Sequence, residues 1–374
     1  MKLTHRKTSF RRIVICALLV FEAGALAAQP SRRVTGKFRE TILAILAEKQ
    51  GSSSAEGLRF GPLYPSQNPA YFELAVDRPI GSRTVEEVIS VERNGRFLAL
   101  GKFYPLNPRT DAEISSVARK ALNLNATDEI AVGSPEASNL SQYQRGTITI
   151  QHQGQAERRR YFISSNRQYL VFGPIYTVRT PRETRAILGH DGEPNRRSTR
   201  AVVTVFEFSD LECPACAEFH KVLVTSILPK YGDQVHFVVK DFPLPYHLWA
   251  EPAAISSRCV AQIAPESYPR YRDLIFEHQA EISIDNARQK LLDLGSTVGV
   301  DREQLTSCID EGHVESAIQR NVAEGRQLEI GILPTIYIEG YPLSGDISAE
   351  KFDSVIAKAR LNARLVGPNL SDSR

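Results

Sequence analysis

A β-branched and aromatic run, "AVVTVFEF" (201–208), leads through Ser209–Glu212 straight into Cys213-Pro214-Ala215-Cys216, and a helical pattern continues from there to Leu228. No other feature limits the fold as much, because a buried strand has to end, and a helix begin, at two sulfurs. Proline is tolerated in the first helical turn, where its missing N–H would lack a partner anyway. Cys213 is therefore expected at a helix N-terminus, where the dipole and free N–H groups favour a thiolate. The thiolate is the attacking species in disulfide exchange. Cys216, one turn further in, is placed to resolve a mixed disulfide. Two other readings compete: a zinc site built from the C-x-x-C pair plus Cys259 or Cys308, with His220 as a further candidate ligand, and a redox-inert binding or chaperone module. Zinc needs a second close ligand pair, which the sequence lacks, so no metal ligands are assigned. Nor is an organic cofactor expected, since the dithiol itself carries the two electrons.

The 374-residue chain is long enough for two or three domains. Residues 1–27 have the layout of a secretory signal peptide: a basic start (Lys2, Arg6, Lys7, Arg11, Arg12), an apolar segment from Ile13 to Val20, and Ala25-Leu26-Ala27 as the cleavage site. Glu22 interrupts the apolar run before it could span a bilayer. The leader carries a net +4 of the chain's +3, so the remainder is near −1 and nothing in its charge asks for nucleic acid. Without Cys16, the cysteines left are Cys213, Cys216, Cys259 and Cys308, enough for two disulfides in an oxidising compartment. The expectation is an exported, periplasmic protein.

Between Ser31 and Val178 the text repeats. Phe38, Ile42, Ile45 and Leu46 line one helical face, and Ile114, Val117, Ala118, Ala121 and Leu122 line another that opens on the capping pattern Thr110-x-x-Glu113. Leu98, Gly101 and Tyr104 recur as Leu170, Gly173 and Tyr176, with hairpin signals at Asn94-Gly95 and Ser165-Asn166. Two tandem modules, 31–106 and 107–178, are expected, each a helix on a small antiparallel sheet. The Arg-rich 179–200 reads as a linker, 201–362 as the cysteine-bearing domain and 363–374 as a disordered tail.

The CPAC strand–helix junction, "FVVKDFPLPYH", "AAISSRCVAQ", "LTSCIDEG" and "GILPTIYI" together resemble the DsbA-like thioredoxin-fold thiol:disulfide oxidoreductases, from about Val202 to Ala359. The resemblance implies an α/β thioredoxin fold with a helical insertion, acting on protein substrates and reset by a redox partner. It implies that Pro334 is cis and faces the sulfurs, and that Leu333, Thr335, Pro214 and Ala215 line the client site. Glu207, six residues before Cys213, would be a buried acidic proton acceptor, with Lys240 as its partner. Cys259 and Cys308 would form a second, non-catalytic disulfide; the alternative is two separate buried thiols. Residues 160–178 resemble the end of the amino-terminal dimerisation domain of DsbC-type isomerases, which makes the α+β modules cystatin-like and suits them to homodimerisation or client binding. Ala215 stands where the best-known oxidant has histidine, and Leu333 is neither the valine of many oxidases nor the threonine usual in isomerases. Oxidase, isomerase and reductase directions all stay open.

Overall fold

The computed structural model describes residues 36–51, 57–152, 154–189, 193–196 and 201–366; the expected signal peptide lies outside them. The chain forms two compact units. Unit 1 runs from Gly57 to Thr177, and unit 2 combines the helix near the start of the described chain with everything from Val178 onward. That first helix, α1 (Gly36–Gln50), was expected on the sheet of the first module. It packs instead within unit 2, against an edge strand of the second unit's sheet. Its buried Ile42, Ile45 and Leu46 mark an apolar stripe, but a stripe does not name the surface that covers it.

Unit 1 contains strands β1 (Arg59–Pro65), β2 (Tyr71–Ile80), β3 (Arg83–Glu92), β4 (Phe97–Leu100) and β5 (Phe103–Pro105). Helix α2 (Asp111–Ala121) follows, then β6 (Glu129–Val132), β7 (Glu136–Ala137), β8 (Tyr143–His152), β9 (Gln155–Ser164), β10 (Tyr169–Phe172) and β11 (Ile175–Thr177). The Thr110 hydroxyl caps α2 by accepting from the Glu113 amide at 3.3 Å, and Ile114 and Ala118 are buried. The hairpin turns match: the Arg96 amide donates to Asn94 Oδ1 at 2.8 Å and the Gln168 amide to Asn166 Oδ1 at 3.1 Å, the local bond that makes asparagine a turn residue.

The sheets do not respect the module boundary at 106/107. One is ordered β1-β2-β3-β4-β11 and the other β5-β10-β9-β8-β6, with β7 beside β8. Each repeat gives its last strand to the other. Ile175 pairs with Ala99 and Val171 with Phe103, the same pairing seen from the two copies. Tyr71 and Tyr143, equivalent residues 72 apart, join hydroxyls at 2.8 Å in the buried centre. The crossing needs glycine: at Gly101 (φ 149°) a Cβ would lie 2.7 Å from the Phe172 carbonyl oxygen, and at Gly173 (φ 136°) 2.0 Å from that of Leu100.

Unit 2 continues with α3 (Pro181–Ile187), β12 (Asn195–Arg196), β13 (Val203–Ser209), α4 (Pro214–Val222), α5 (Leu228–Tyr231), β14 (Val235–Asp241) and the helices α6 (Ala250–Ile263), α7 (Tyr268–Glu277), α8 (Ala287–Thr297), α9 (Arg302–Glu311) and α10 (Glu315–Gln327). It closes with β15 (Thr335–Ile338), β16 (Tyr341–Ser344) and α11 (Ala349–Val366). Residues 179–200, expected as a linker, thus carry a helix and a short strand in their described part. Thr180 and Glu183 form a complete capping box with Pro181 just inside. The tail was expected from 363, but α11 continues to Val366, and residues 367–374 lie outside the described residues.

The sheet is ordered β12-β14-β13-β15-β16, with β13 parallel to β14 and antiparallel to β15. Burial along nearly all of β13 reflects cover on both faces. Val203 and Val205 pack with Phe219, Leu223 and Phe352, while Phe206 and Phe208 belong to the core of the helical insertion. A π turn, Leu223–Ile227, joins α4 to α5 just before Pro229, where the missing N–H and the ring would otherwise break the ladder. Cys259 of α6 and Cys308 of α9 form a disulfide, closing 49 residues of sequence. Replacing both by alanine is expected to lower the stability of the oxidised protein by roughly 2–4 kcal/mol. Urea unfolding measures it, and a midpoint unmoved from that of the parent would contradict it.

Candidate active site

The pairing Phe208–Thr335 sets the end of β13 beside the start of β15. Cys213 follows the first strand and Pro334 precedes the second, so the sulfurs and the proline stand at the same end of the sheet. The Leu333–Pro334 peptide is cis.

Cys213 is the N-cap of α4, in extended backbone conformation (φ −75°, ψ 120°), and its carbonyl accepts from the Cys216 and Ala217 amides at 3.1 Å. Both cysteines are thiols here; Cys213 keeps 8% of its surface accessible and Cys216 none. Pro214 and Ala215 are exposed. The two sulfurs are electrically unequal. A hydrogen bond from the Cys216 thiol, helped by the Cys216 and Ala215 amides, outweighs burial and brings the Cys213 pKa down to about 6. Burial, followed by the hydrogen bond and charge of Cys213, pushes Cys216 well up. One sulfur is poised to attack and the other to wait.

Asp210 fixes the approach to Cys213. Its buried carboxylate accepts from the Glu212 amide at 2.7 Å and the Leu244 amide at 2.8 Å, and from His247 Nδ1 at 2.8 Å. His247 thus ties the loop after β14 to the CPAC turn. Gln279 donates to the Leu211 and Cys213 carbonyls at 2.9 and 3.1 Å.

Glu207 is buried, 1% exposed, and not at an open edge. Its partner is not Lys240. Phe208 pairs with Lys240 across parallel strands, so Lys240 points to the face opposite Glu207. There Lys240 meets Glu324 at 2.8 Å, Asn321 at 3.3 Å and Glu193 at 3.4 Å. Glu207 is instead held by Arg272 of α7 through two bonds, at 2.6 and 3.2 Å. Burial alone would raise the carboxyl pKa, but the charge and hydrogen bonds of Arg272 overcome it and hold the pKa below the ordinary value. Arg272 also lies 3.5 Å from His220 Nδ1, while His220 Nε2 meets Asp273 at 2.9 Å.

Ser209 stands two residues along β13 on the same face as Glu207. Its buried hydroxyl faces Glu207 and Cys216 and lowers the pKa of both. Arg272, Asp210 and Ser209 were missed from sequence. Arg272 carries a signal: in "YPRYRDLIFE" it falls on the apolar stripe Tyr268, Tyr271, Ile275, where an arginine must find a buried anion.

Leu333 and Pro334 are both buried at the loop. Thr335, expected at the client edge, turns inward: its hydroxyl donates to the Ile332 carbonyl at 2.7 Å and meets Ser344 Oγ at 2.8 Å, so it braces the cis-proline loop. Cys259 and Cys308 are committed to each other and unavailable to a metal. Among the described residues no group of three or more His, Cys, Asp or Glu is arranged to hold one. No described helix is long and apolar enough to cross a membrane.

Residues 194–358 match the thioredoxin family. A protein from Rickettsia felis, named as a protein-disulfide oxidoreductase, is 26% identical over 42% of this chain and 56% of its own. The C-terminal region is thus thioredoxin-like. A Na(+)/H(+) antiporter NhaA from Herminiimonas arsenicoxydans is 25% identical to this chain over 44% of it and 25% of the antiporter. The chain thus spans between a quarter and just over half the length of these curated relatives. The solved structure of oxidised BdbD from Bacillus subtilis aligns with 46% of this chain and 94% of its own, at 23% identity and a TM-score of 0.42.

Proposed function

We propose that the protein is an exported thiol:disulfide oxidoreductase that exchanges disulfides with protein clients through Cys213 and Cys216. The observation that carries this reading is the N-cap position of a Cys213 with a thiol pKa near 6 at the cis-proline end of the sheet. In the donating direction, a client thiolate attacks Cys213 of the oxidised pair and the Cys213–Cys216 bond breaks, leaving Cys216 as thiolate. A second client thiolate then attacks the client sulfur, and Cys213 leaves. The client gains a disulfide, the protein gains two electrons, and a redox partner removes them. A thiolate stabilised at Cys213 favours the dithiol form, which supports donation over reduction.

Leu333 and Pro334 are read as the edge that receives the client strand, with Pro214 and Ala215 beside it. Export to the periplasm rests on the expected leader and on a disulfide in a helical insertion, which needs an oxidising compartment. Unit 1 is read as a cystatin-like pair serving to hold clients; its exchanged strands are satisfied within one chain, which favours client holding over homodimerisation.

Trapping tests the chemistry. Cys216→Ala protein, activated at Cys213 as a mixed disulfide with a small thiol, should retain a cysteine-bearing client peptide as a stable covalent adduct. Parent protein under the same conditions should release it. If no adduct accumulates on Cys213, the proposed exchange fails.

A further inference from the structure

Unit 1 leaves and rejoins unit 2 through two stems, one following α1 and one preceding α3. Both stems carry a cation to the same place. In the last turn of α1, the buried Lys49 ammonium donates to the Leu328 carbonyl and to Glu48 at 2.7 Å. On the returning stem, Arg179 donates to the Gln327 carbonyl at 2.8 Å and pairs with Glu329 at 3.4 Å. Gln327 ends α10 and Leu328 is its C-cap. The last carbonyls of a helix have no partner within it, and its C-terminus favours positive charge. Two chain segments about 130 residues apart in sequence (49 to 179) thus satisfy one helix end.

That helix end feeds the cis-proline loop. Glu329, at φ +57°, turns the chain, and the Ile330 amide donates back to the Gly325 carbonyl at 2.9 Å. Ile332 lies against the outgoing stem, its Cδ1 only 3.2 Å from where a Cβ on Gly51 would sit. Tyr337 of β15 donates to Glu48 at 3.1 Å, so the strand after the proline is tied to the end of α1. Thr335 fixes the interval between.

We propose that Lys49 and Arg179 are positioning residues: they clamp the C-terminal turn of α10 and so set the Leu333–Pro334 loop in register for an extended client. Both clamp residues and the loop they hold belong to unit 2. This inference rests on the oxidoreductase reading above.

The test is the Lys49→Met/Arg179→Met double variant of the full chain. Its KM for a peptide disulfide should rise about tenfold to a hundredfold, the usual consequence of a displaced binding element. The reaction of Cys213 with a small symmetrical disulfide should stay within about twofold of the parent, because α4 is untouched. Lys49→Arg and Arg179→Lys should restore most of the loss. Amide exchange over residues 331–336 should accelerate in the double variant. An unchanged KM, or unchanged exchange at those amides, overturns the clamp, as does a parallel fall in small-disulfide reactivity. If the parent protein never exchanges with peptides, the oxidoreductase reading falls, and the amide-exchange result alone decides the clamp.

Discussion

Cys213→Ser protein should lose disulfide exchange with a peptide substrate by at least about 1,000-fold, as enzymes do when their nucleophile is removed. The serine keeps the N-cap geometry but offers no anion at neutral pH, so the fold should be retained while the thiolate's own contribution to the stability of the reduced form is lost. In the parent, the alkylation rate of Cys213 should climb about tenfold per pH unit up to a midpoint near 6 and then level. A midpoint near that of a free thiol, about 8.5, would contradict the site described above. The same shift bears on folding. The native pKa is depressed below the unfolded value, so the reduced protein has this stabilisation in full above the unfolded thiol pKa and loses it as pH falls through about 6. Unfolding of the reduced form should show that slope, and Cys213→Ser should abolish it.

Arg272→Gln should be the most damaging single change that leaves both sulfurs intact. It strands the Glu207 carboxylate, 1% exposed, without its cation. Breaking a buried pair from one side costs about 3–5 kcal/mol. The pH dependence should invert as well. In the parent, the depressed pKa of Glu207 gives stability that is present above the unfolded carboxylate pKa and lost on acidification through its lower native value. In the variant only His220 and Ser209 remain to oppose burial, so the pKa should rise and stability should be lost as pH rises instead. The gap between the two proteins should therefore widen from pH 4 to pH 7 in urea titrations. Arg272→Met combined with Glu207→Gln should recover much of the loss, since no unpaired charge remains. A single variant within about 1 kcal/mol of the parent at pH 7 would show that the pair is not what keeps Glu207 ionised.

The core of unit 2 could be read in the sequence because its signals are local. A β-branched run, a proline after a cysteine and an amphipathic stripe each fix their own stretch of chain. What could not be read depends on surfaces meeting. The stripe of Ile42, Ile45 and Leu46 announces a helix that hides one face, yet nothing in those residues distinguishes the sheet of its own repeat from β16. The repeat itself was visible through Leu98, Gly101 and their counterparts, but a strand pairs through backbone atoms, and the text of β5 and β11 does not say which sheet takes them. Arginine content hid a readable element: Thr180-Pro181-x-Glu183 is a helix start, and six basic residues made the segment look like a solvated arm. At the site, the type and spacing of the cysteines announced a thiol pair at a helix start, and Cys213 is the N-cap of α4. The counter-ion of Glu207 came from a helix 65 residues away, where only an arginine misplaced on an apolar face could have pointed to it.

The crossed strands of unit 1 constrain how such a chain can change over time. After the two copies traded their final strands, neither could be discarded, because erasing one removes an outer strand from the survivor and exposes a row of unpaired backbone groups there. Insertions at the outer hairpins cost little by comparison. At the crossover a side chain on either glycine would meet the carbonyl of Phe172 or Leu100, whereas the outer hairpin glycines Gly81 and Gly154 have open space around them.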